Sequence, residues 1–191
     1  IPTVYKPSET IRTLRRLFAS YNLLNRQIRM LKNTIQAMLT EDGVTLSSTD
    51  RSRLFKGKES IAEILTDRHL SEVIVEALQI QVDLLRTITE SKEQLGRRIV
   101  EASAPLDEQI HLLITIPGIT PLTASAFLAD VGDVHRFPSL RRMNAYLGLV
   151  PRCHDSGGKS RPGHITRESR KLSRTILTQS IYQTIKGTPG W

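Results

Sequence analysis

Apolar residues recur at Leu14, Leu17, Tyr21, Leu24, Ile28, Leu31, Ile35 and Met38, in alternating steps of three and four. A 3.5-residue repeat held over this length predicts a long helix across about 8–40 with a coiled-coil seam. Ser8 is suited to cap it, and Glu9 would sit in its first turn. Arg12, Arg15, Arg16, Arg26, Arg29 and Lys32 lie off the seam, where they either touch nucleic acid or form a solvated face. Residues 41–57, with Gly43, Gly57 and several Ser/Thr, read as a helix–helix connection or tip. A second helical pattern runs over roughly 58–102, its apolar side marked by Ile74, Ala77, Leu84, Ile88, Leu95, Ile99 and Ala102. It either folds back on the first helix as an antiparallel hairpin or pairs with another copy, and the pattern allows both.

Pro105 punctuates the chain, and shorter elements follow. A helix is expected over 106–116, a tight turn at Pro117-Gly118-Ile119, and a helix over 121–131 begun by Pro121 and ended by Gly132. Short helix, glycine turn, short helix is the pattern of a helix-hairpin-helix, whose turn amides hold a DNA phosphate; Thr120 stands where that motif usually has a second glycine. A helix over 139–147 is capped by Ser139 and stopped by Gly148. Thr166 can cap a last helix reaching about Lys186, with Leu172, Ile176, Ile181 and Ile185 facing a core. Residues 112–129 carry no charge, but Pro117, Gly118 and Pro121 cut the run, which reads as buried helix and not as a membrane span.

Charge changes the picture. The net charge of +8 hides an acidic middle between basic ends. Residues 1–40 hold seven Lys/Arg against one acid, residues 41–133 nine against sixteen, and residues 134–175 ten against two. Such asymmetry points to a polyanion bound by part of the molecule. The single cysteine, Cys153, excludes an internal disulfide and suits a reducing cytoplasm. No secretory signal is visible, and the start at Ile1 without methionine fits a processed product or an excised fragment.

The basic excess coincides with residues 148–167, where Gly157, Gly158, Pro162 and Gly163 are expected to keep the backbone out of regular helix or strand. Arg152, Lys159, Arg161 and Arg167 surround Ser156, and Arg170, Lys171 and Arg174 continue the basic face into the next helix. The obvious ligand is phosphate. Gly158-Lys159-Ser160 is no nucleotide-binding P-loop, because Cys153 occupies the position of its first glycine and Pro162 forbids the helix that must follow. No serine-hydrolase elbow is present. Cys153, His154, His164 and His135 lack zinc spacing, and Asp130, Asp133 and Asp155 form no full acidic metal site, so this chain is expected to bind no metal. Two roles stay open for Ser156: a hydrogen-bond donor in a phosphate cradle, which the residues alone favour, or a nucleophile toward a phosphodiester.

The stretch TIPGITPLTASAFLADVGDVHRF, continued by MNAYLGLVPRCHDSGGKSRPGHITRESRKLSRTIL, resembles the C-terminal domain of transposases of the bacterial insertion-sequence 110 (110/116/902) family. DNA invertases of pilin genes share that domain. The opening VYKPSETIRTLRRLFASYNLLNRQIRMLKNTI is similar to the region after the acidic domain in the same family. The resemblance implies an RuvC-like domain with four carboxylates and bound magnesium, then a coiled coil and a serine-bearing helical domain. It implies strand exchange through a phosphoserine linkage, with a structured bridging RNA selecting the DNA partners. Carried onto this chain, the serine is Ser156, with Ser160 second to it. The acidic domain is absent from these residues, so the chain alone is expected to bind DNA or RNA without cleaving it.

The expected fold is all-α: a long helical hairpin or coiled coil over 1–104 with its tip near 41–57, then a compact helical domain over 105–191 with a helix-hairpin-helix-like corner. The expected function is DNA transposition, with Ser156 as nucleophile and Gly118, Arg152, Lys159, Arg161, Arg167, Arg170, Lys171 and Arg174 on phosphates. Double-stranded DNA, a guide RNA and further copies of the chain are the expected partners, in the bacterial cytoplasm at the nucleoid, with no membrane and no cofactor of its own. The alternative is a non-catalytic nucleic-acid-binding module of a repair or chromosome-organising protein.

Overall fold

The structure is a computed structural model that describes residues 5–57, 59–65, 70–156, 159–165, 177–178, 180–182 and 185, with residues 151–165 described through their backbone. The described elements are helical except for one hairpin: α1 Glu9–Glu41, α2 Ser48–Lys56, α3 Ile61–Ile64, α4 Glu72–Ala102, α5 Asp107–Ile114, α6 Pro121–Val131, α7 Leu140–Leu147, β1 Pro151–Ser156 and β2 Lys159–Ile165. The all-α class holds for everything but β1 and β2. Two compact units divide the chain, residues 19–97 in one and residues 1–18 with 98–191 in the other. Both α1 and α4 contribute to each unit.

In the unit of residues 19–97, Ile35 and Leu39 of α1 share one buried cluster with Leu78, Val82 and Leu85 of α4. This is the helical hairpin in its within-chain form. The seam on α4 differs from the expected one. Leu84 is 46% exposed, while its neighbour Leu85 is buried, because the helix turns about 100° per residue and only one of the pair can face α1. The expected tip is not a bare connection. Leu54 of α2 and Ile61 of α3 are fully buried in the same cluster with Val44 and Leu46, so the segment closes the end of the core. Ser47 accepts the Asp50 amide at 3.0 Å and starts α2. Ser60 and Glu63 form a reciprocal capping box that starts α3. These signals explain why no single helix spans 58–102: α4 begins only at Glu72.

In the other unit, Ser8 Oγ accepts the Ile11 amide at 3.3 Å, as expected of the α1 cap. Ile11, Leu14 and Phe18 are buried. Ile110, Ala124 and Leu128 form a cluster with Leu106, Leu113, Ile119 and Phe127, which packs α5 on α6. Helices α6 and α7 end where their glycines predict. Gly132 has φ +67° and Gly148 has φ +72°, a backbone region that glycine enters without a steric penalty. Ile181 and Ile185, expected in a core, are 58% and 54% exposed, whereas Ser180, just before Ile181, is buried. Leu172, Ile176 and the Thr166 cap lie outside the described residues. No helix among the described residues is long and apolar enough to cross a membrane.

Candidate nucleic-acid interface

The segment expected to be irregular is an antiparallel β-hairpin. Helix α7 stops in a Schellman-type turn: Gly148 N–H reaches Ala145 O at 3.1 Å, and Leu149 N–H reaches Asn144 O at 2.9 Å. Two residues later β1 begins. Ser156 pairs with Lys159, Asp155 with Ser160, His154 with Arg161, and Cys153 with Pro162, with an irregularity between Pro151 and Cys153. Gly157 and Gly158, outside the described residues, are the two positions between the paired ends. Gly-Gly is a favoured dipeptide for a two-residue hairpin connection, which is the signal the composition reading overlooked. Pro162 and Gly163 are tolerated because a two-stranded ribbon has only edge strands, where a missing N–H costs little.

Register sorts the candidate residues. Directly paired residues share a face and successive residues alternate. Positions 154, 156, 159 and 161 therefore fall on one face of the ribbon, and positions 153, 155, 160 and 162 on the other. Ser156 shares its face with His154, Lys159 and Arg161, while Ser160 shares its own with Asp155. Arg152 stands in β1 at the irregularity. Arg167, Arg170, Lys171 and Arg174 lie outside the described residues.

Gly118 occupies the turn between α5 and α6. Ile119 N–H bonds to Ile116 O at 3.1 Å, and Gly118 has φ +84° after Pro117, the arrangement of a type II turn. Thr120, the departure from the expected glycine, caps α6: its Oγ accepts the Thr123 amide at 3.3 Å, and Thr123 Oγ accepts the Thr120 amide at 2.7 Å. A glycine there would leave the Thr123 amide without that acceptor. The turn is exposed.

A cluster that sequence reasoning missed fixes the C-terminus of α6, where the last carbonyls of a helix lack intrahelical donors. Arg15 donates through Nε to Ala129 O at 2.7 Å and through Nη2 to Asp130 O at 3.2 Å. Arg136 Nε donates to Val131 O at 3.1 Å, and the Tyr146 hydroxyl donates to Asp130 O at 3.2 Å. The Arg136 guanidinium lies 4.5 Å from the Tyr5 ring centroid, 4.0 Å from that of Phe137 and 4.4 Å from that of Tyr146. Tyr5 Oη in turn accepts the Asp133 amide at 3.0 Å. Aromatic residues at 5, 137 and 146 are scattered in sequence, so only the fold assembles this cage.

The acids nearby are engaged in the fold. Asp133 Oδ1 accepts the His135 amide at 2.9 Å and starts a short 3-10 turn, and Asp130 is buried in α6. Among the described residues no three His, Cys, Asp or Glu side chains gather closely enough to hold an ion.

Known proteins resemble this chain over the same elements. Residues 110–189 match the family described as Transposase IS116/IS110/IS902 family. A Pseudomonas aeruginosa protein named probable family 20 transposase is 32% identical over 147 residues, covering 77% of this chain and 43% of that protein. The Coxiella burnetii transposase for insertion sequence element IS1111A is 38% identical over 78 residues, covering 41% of this chain and 21% of that protein. The Moraxella bovis pilin gene-inverting protein is 37% identical over 90 residues, covering 43% of this chain and 28% of that protein.

The α5–α6 pair, α7 and the hairpin thus form a domain of the transposase and recombinase class. Through residues 110–189 the chain belongs to the IS116/IS110/IS902 transposase family. It spans less than half the length of these relatives.

Proposed function

We propose that this chain is the DNA-handling part of a transposase or site-specific recombinase, with Ser156 as the nucleophile. The observation that carries this reading is the hairpin register, which puts Ser156 directly across from Lys159 and on one face with Arg161. In the proposed step Ser156 Oγ attacks a phosphodiester phosphorus. A bond forms between Oγ and phosphorus, and the bond to the leaving sugar oxygen breaks. The serine proton passes to a base, and the released strand ends in a hydroxyl. Cations at Lys159 and Arg161 stabilise the extra negative charge on the phosphoryl oxygens. Ser160, on the other face beside Asp155, is the poorer candidate because a carboxylate repels the phosphate.

Double-stranded DNA is the partner this reading requires, and Gly118 in its exposed turn is suited to a helix-hairpin-helix contact with one phosphate. The basic residues Arg152, Arg167, Arg170, Lys171 and Arg174 extend the contact on charge grounds. A structured guide RNA, and self-association through α1 and α4, belong to the same proposal. So do magnesium held by carboxylates outside these residues and a place at the bacterial nucleoid. Asp130 and Asp133 are each engaged in the fold, so these 191 residues are expected to hold DNA without cutting it.

The test is Ser156→Ala. The 191-residue chain with this change should keep its affinity for duplex DNA within about twofold, since one neutral hydroxyl adds little to phosphate binding. Extended upstream to the length of its relatives, the protein should form a covalent DNA adduct that Ser156→Ala abolishes and Ser160→Ala does not. An adduct that survives Ser156→Ala overturns the assignment. An adduct formed by the 191-residue chain alone overturns the division of labour. If the exposed Pro117–Gly118 turn is the whole of the function, the non-catalytic binding reading stands, and no length of the protein forms an adduct.

A further inference from the structure

We propose that the exposed face of α7, carrying Arg141 and Arg142, is a second contact surface for the phosphate backbone of duplex DNA. Nothing in the sequence patterns singled these two residues out. The inference rests on the reading of the chain as a DNA-handling module and names where, beyond the hairpin, the duplex is held.

Three observations carry it. The first is a local rule reversed at one helix: α6 also lacks an acid in its first turn, but of the two only α7 puts cations there. Helices α1 to α5 each place an acid in the first turn, namely Glu9, Asp50, Glu63, Glu72, and Asp107 with Glu108. That is the sign that complements the positive end of the helix dipole. Helix α7 has no acid there and carries Arg141 and Arg142 instead, just after the Ser139 cap. Two cations at the positive end of a helix oppose folding unless an anion joins them. Departures of this kind from local preference mark functional positions.

The second observation is that the anion does not come from the described protein. Both arginines are exposed, and neither forms an ion pair among the described residues. No acid occurs in the sequence between Asp133 and Asp155. Asp133 itself is occupied by the His135 amide. The third is the mounting of the helix. Its inner side is held by buried Leu147 and by the Tyr146 hydroxyl on Asp130 O, so the opposite side, with Arg141, Arg142 and Ala145, is presented on a fixed support. Helix α7 leads through Gly148 directly into β1, which joins this surface to the Ser156 hairpin by only three residues of chain. Small Ala145 one turn beyond the arginines lets a backbone approach closely. A short exposed helix with arginines at its N-terminal end suits the wide groove and phosphates of B-form DNA better than the deep, narrow groove of an RNA duplex.

The experiment compares the 191-residue chain with its R141Q/R142Q and R141K/R142K variants, binding a fluorescent DNA duplex and an RNA hairpin across a salt series. Two lost phosphate contacts should reduce the slope of log affinity against log salt by about 1.8 for duplex DNA. Between 50 and 200 mM salt the parent then loses about twelvefold more affinity than R141Q/R142Q. R141K/R142K should retain most of the slope. Thermal melting of R141Q/R142Q should match or exceed that of the parent, because cations have been removed from the helix start. An unchanged slope in R141Q/R142Q, with the parent still binding duplex DNA, overturns this surface and leaves the DNA-handling reading intact. A slope reduced for the RNA hairpin alone overturns the commitment to duplex DNA. A parent chain that binds no duplex at all overturns both the reading and this surface.

Discussion

Arg136 stacks on Tyr146, its guanidinium carbon 4.4 Å from the ring centroid, while the hydroxyl of that same ring donates to Asp130 O at 3.2 Å. The two side chains thus close α6 and orient α7 at once. The hairpin that bears Ser156 starts four residues after Leu147, where α7 ends. Tyr5, from ahead of α1, covers the Arg136 guanidinium at 4.5 Å. Attraction between a cation and ring faces is strengthened by partial desolvation, and Arg suits it better than Lys because its guanidinium is planar.

Arg136→Leu should therefore lower the stability of the unit formed by residues 1–18 and 98–191 by about 2–3 kcal/mol. It removes one hydrogen bond to a helix-end carbonyl and three cation–ring contacts. Arg136→Lys should recover less than half of the loss. Urea unfolding followed by tyrosine fluorescence checks both, and a loss below about 0.5 kcal/mol for Arg136→Leu would mean the cage is only a surface arrangement.

Gly132→Ala should cost about 2 kcal/mol. Its φ of +67° is unfavourable for any residue with a Cβ, and a Cβ built there meets Tyr5 Oη at 2.6 Å. In a Tyr5→Phe background the 2.6 Å contact is removed while ring carbons at 3.3 Å and the dihedral part stay, so the cost of Gly132→Ala should shrink without vanishing. A double-mutant cycle measured by thermal unfolding reads the difference.

Leu54→Ala should destabilise the unit of residues 19–97 by about 2–5 kcal/mol, as expected for a fully buried leucine whose neighbours cannot collapse into the space. Hydrogen exchange should quicken first in α2 and α3 and reach Ile35, Leu39 and Leu78 only through global opening. Protection unaffected by the change would show that α2 does not close the core.

Stability should fall above pH 10 in part through Tyr21. Burial holds its phenol above the ordinary value of 10.0, Glu93 adds to the rise, and a hydrogen bond with Asn25 works against it. Above pH 10 the unfolded chain gives up this proton and the folded chain keeps it, so each further rise in pH favours unfolding until the folded phenol ionises too. Below pH 10 the group has no effect on the balance. The urea midpoint should drop less steeply between pH 10 and 11.5 for Tyr21→Phe than for the parent protein.

Much of this architecture was legible in the chain because local rules acted alone. Ser8, Pro121, Gly132, Ser139 and Gly148 mark the ends of α1, α6 and α7, and each signal works through a cap or a permitted backbone angle within a few residues. Residues 110–189 likewise carried their family in short motifs read in order. Where non-local packing decides, the reading failed. Leu84 and Leu85 are equally apolar, and only the direction of α1 determined which one is buried. Gly157 and Gly158 signal a bend, but whether the flanks pair depends on cross-strand register, and that register put Ser156 opposite Lys159 and Ser160 on the other face. The cage at Arg136 drew its rings from positions 5, 137 and 146, a juxtaposition with no sequence period, because it exists only once α6 and α7 have been brought beside the segment ahead of α1.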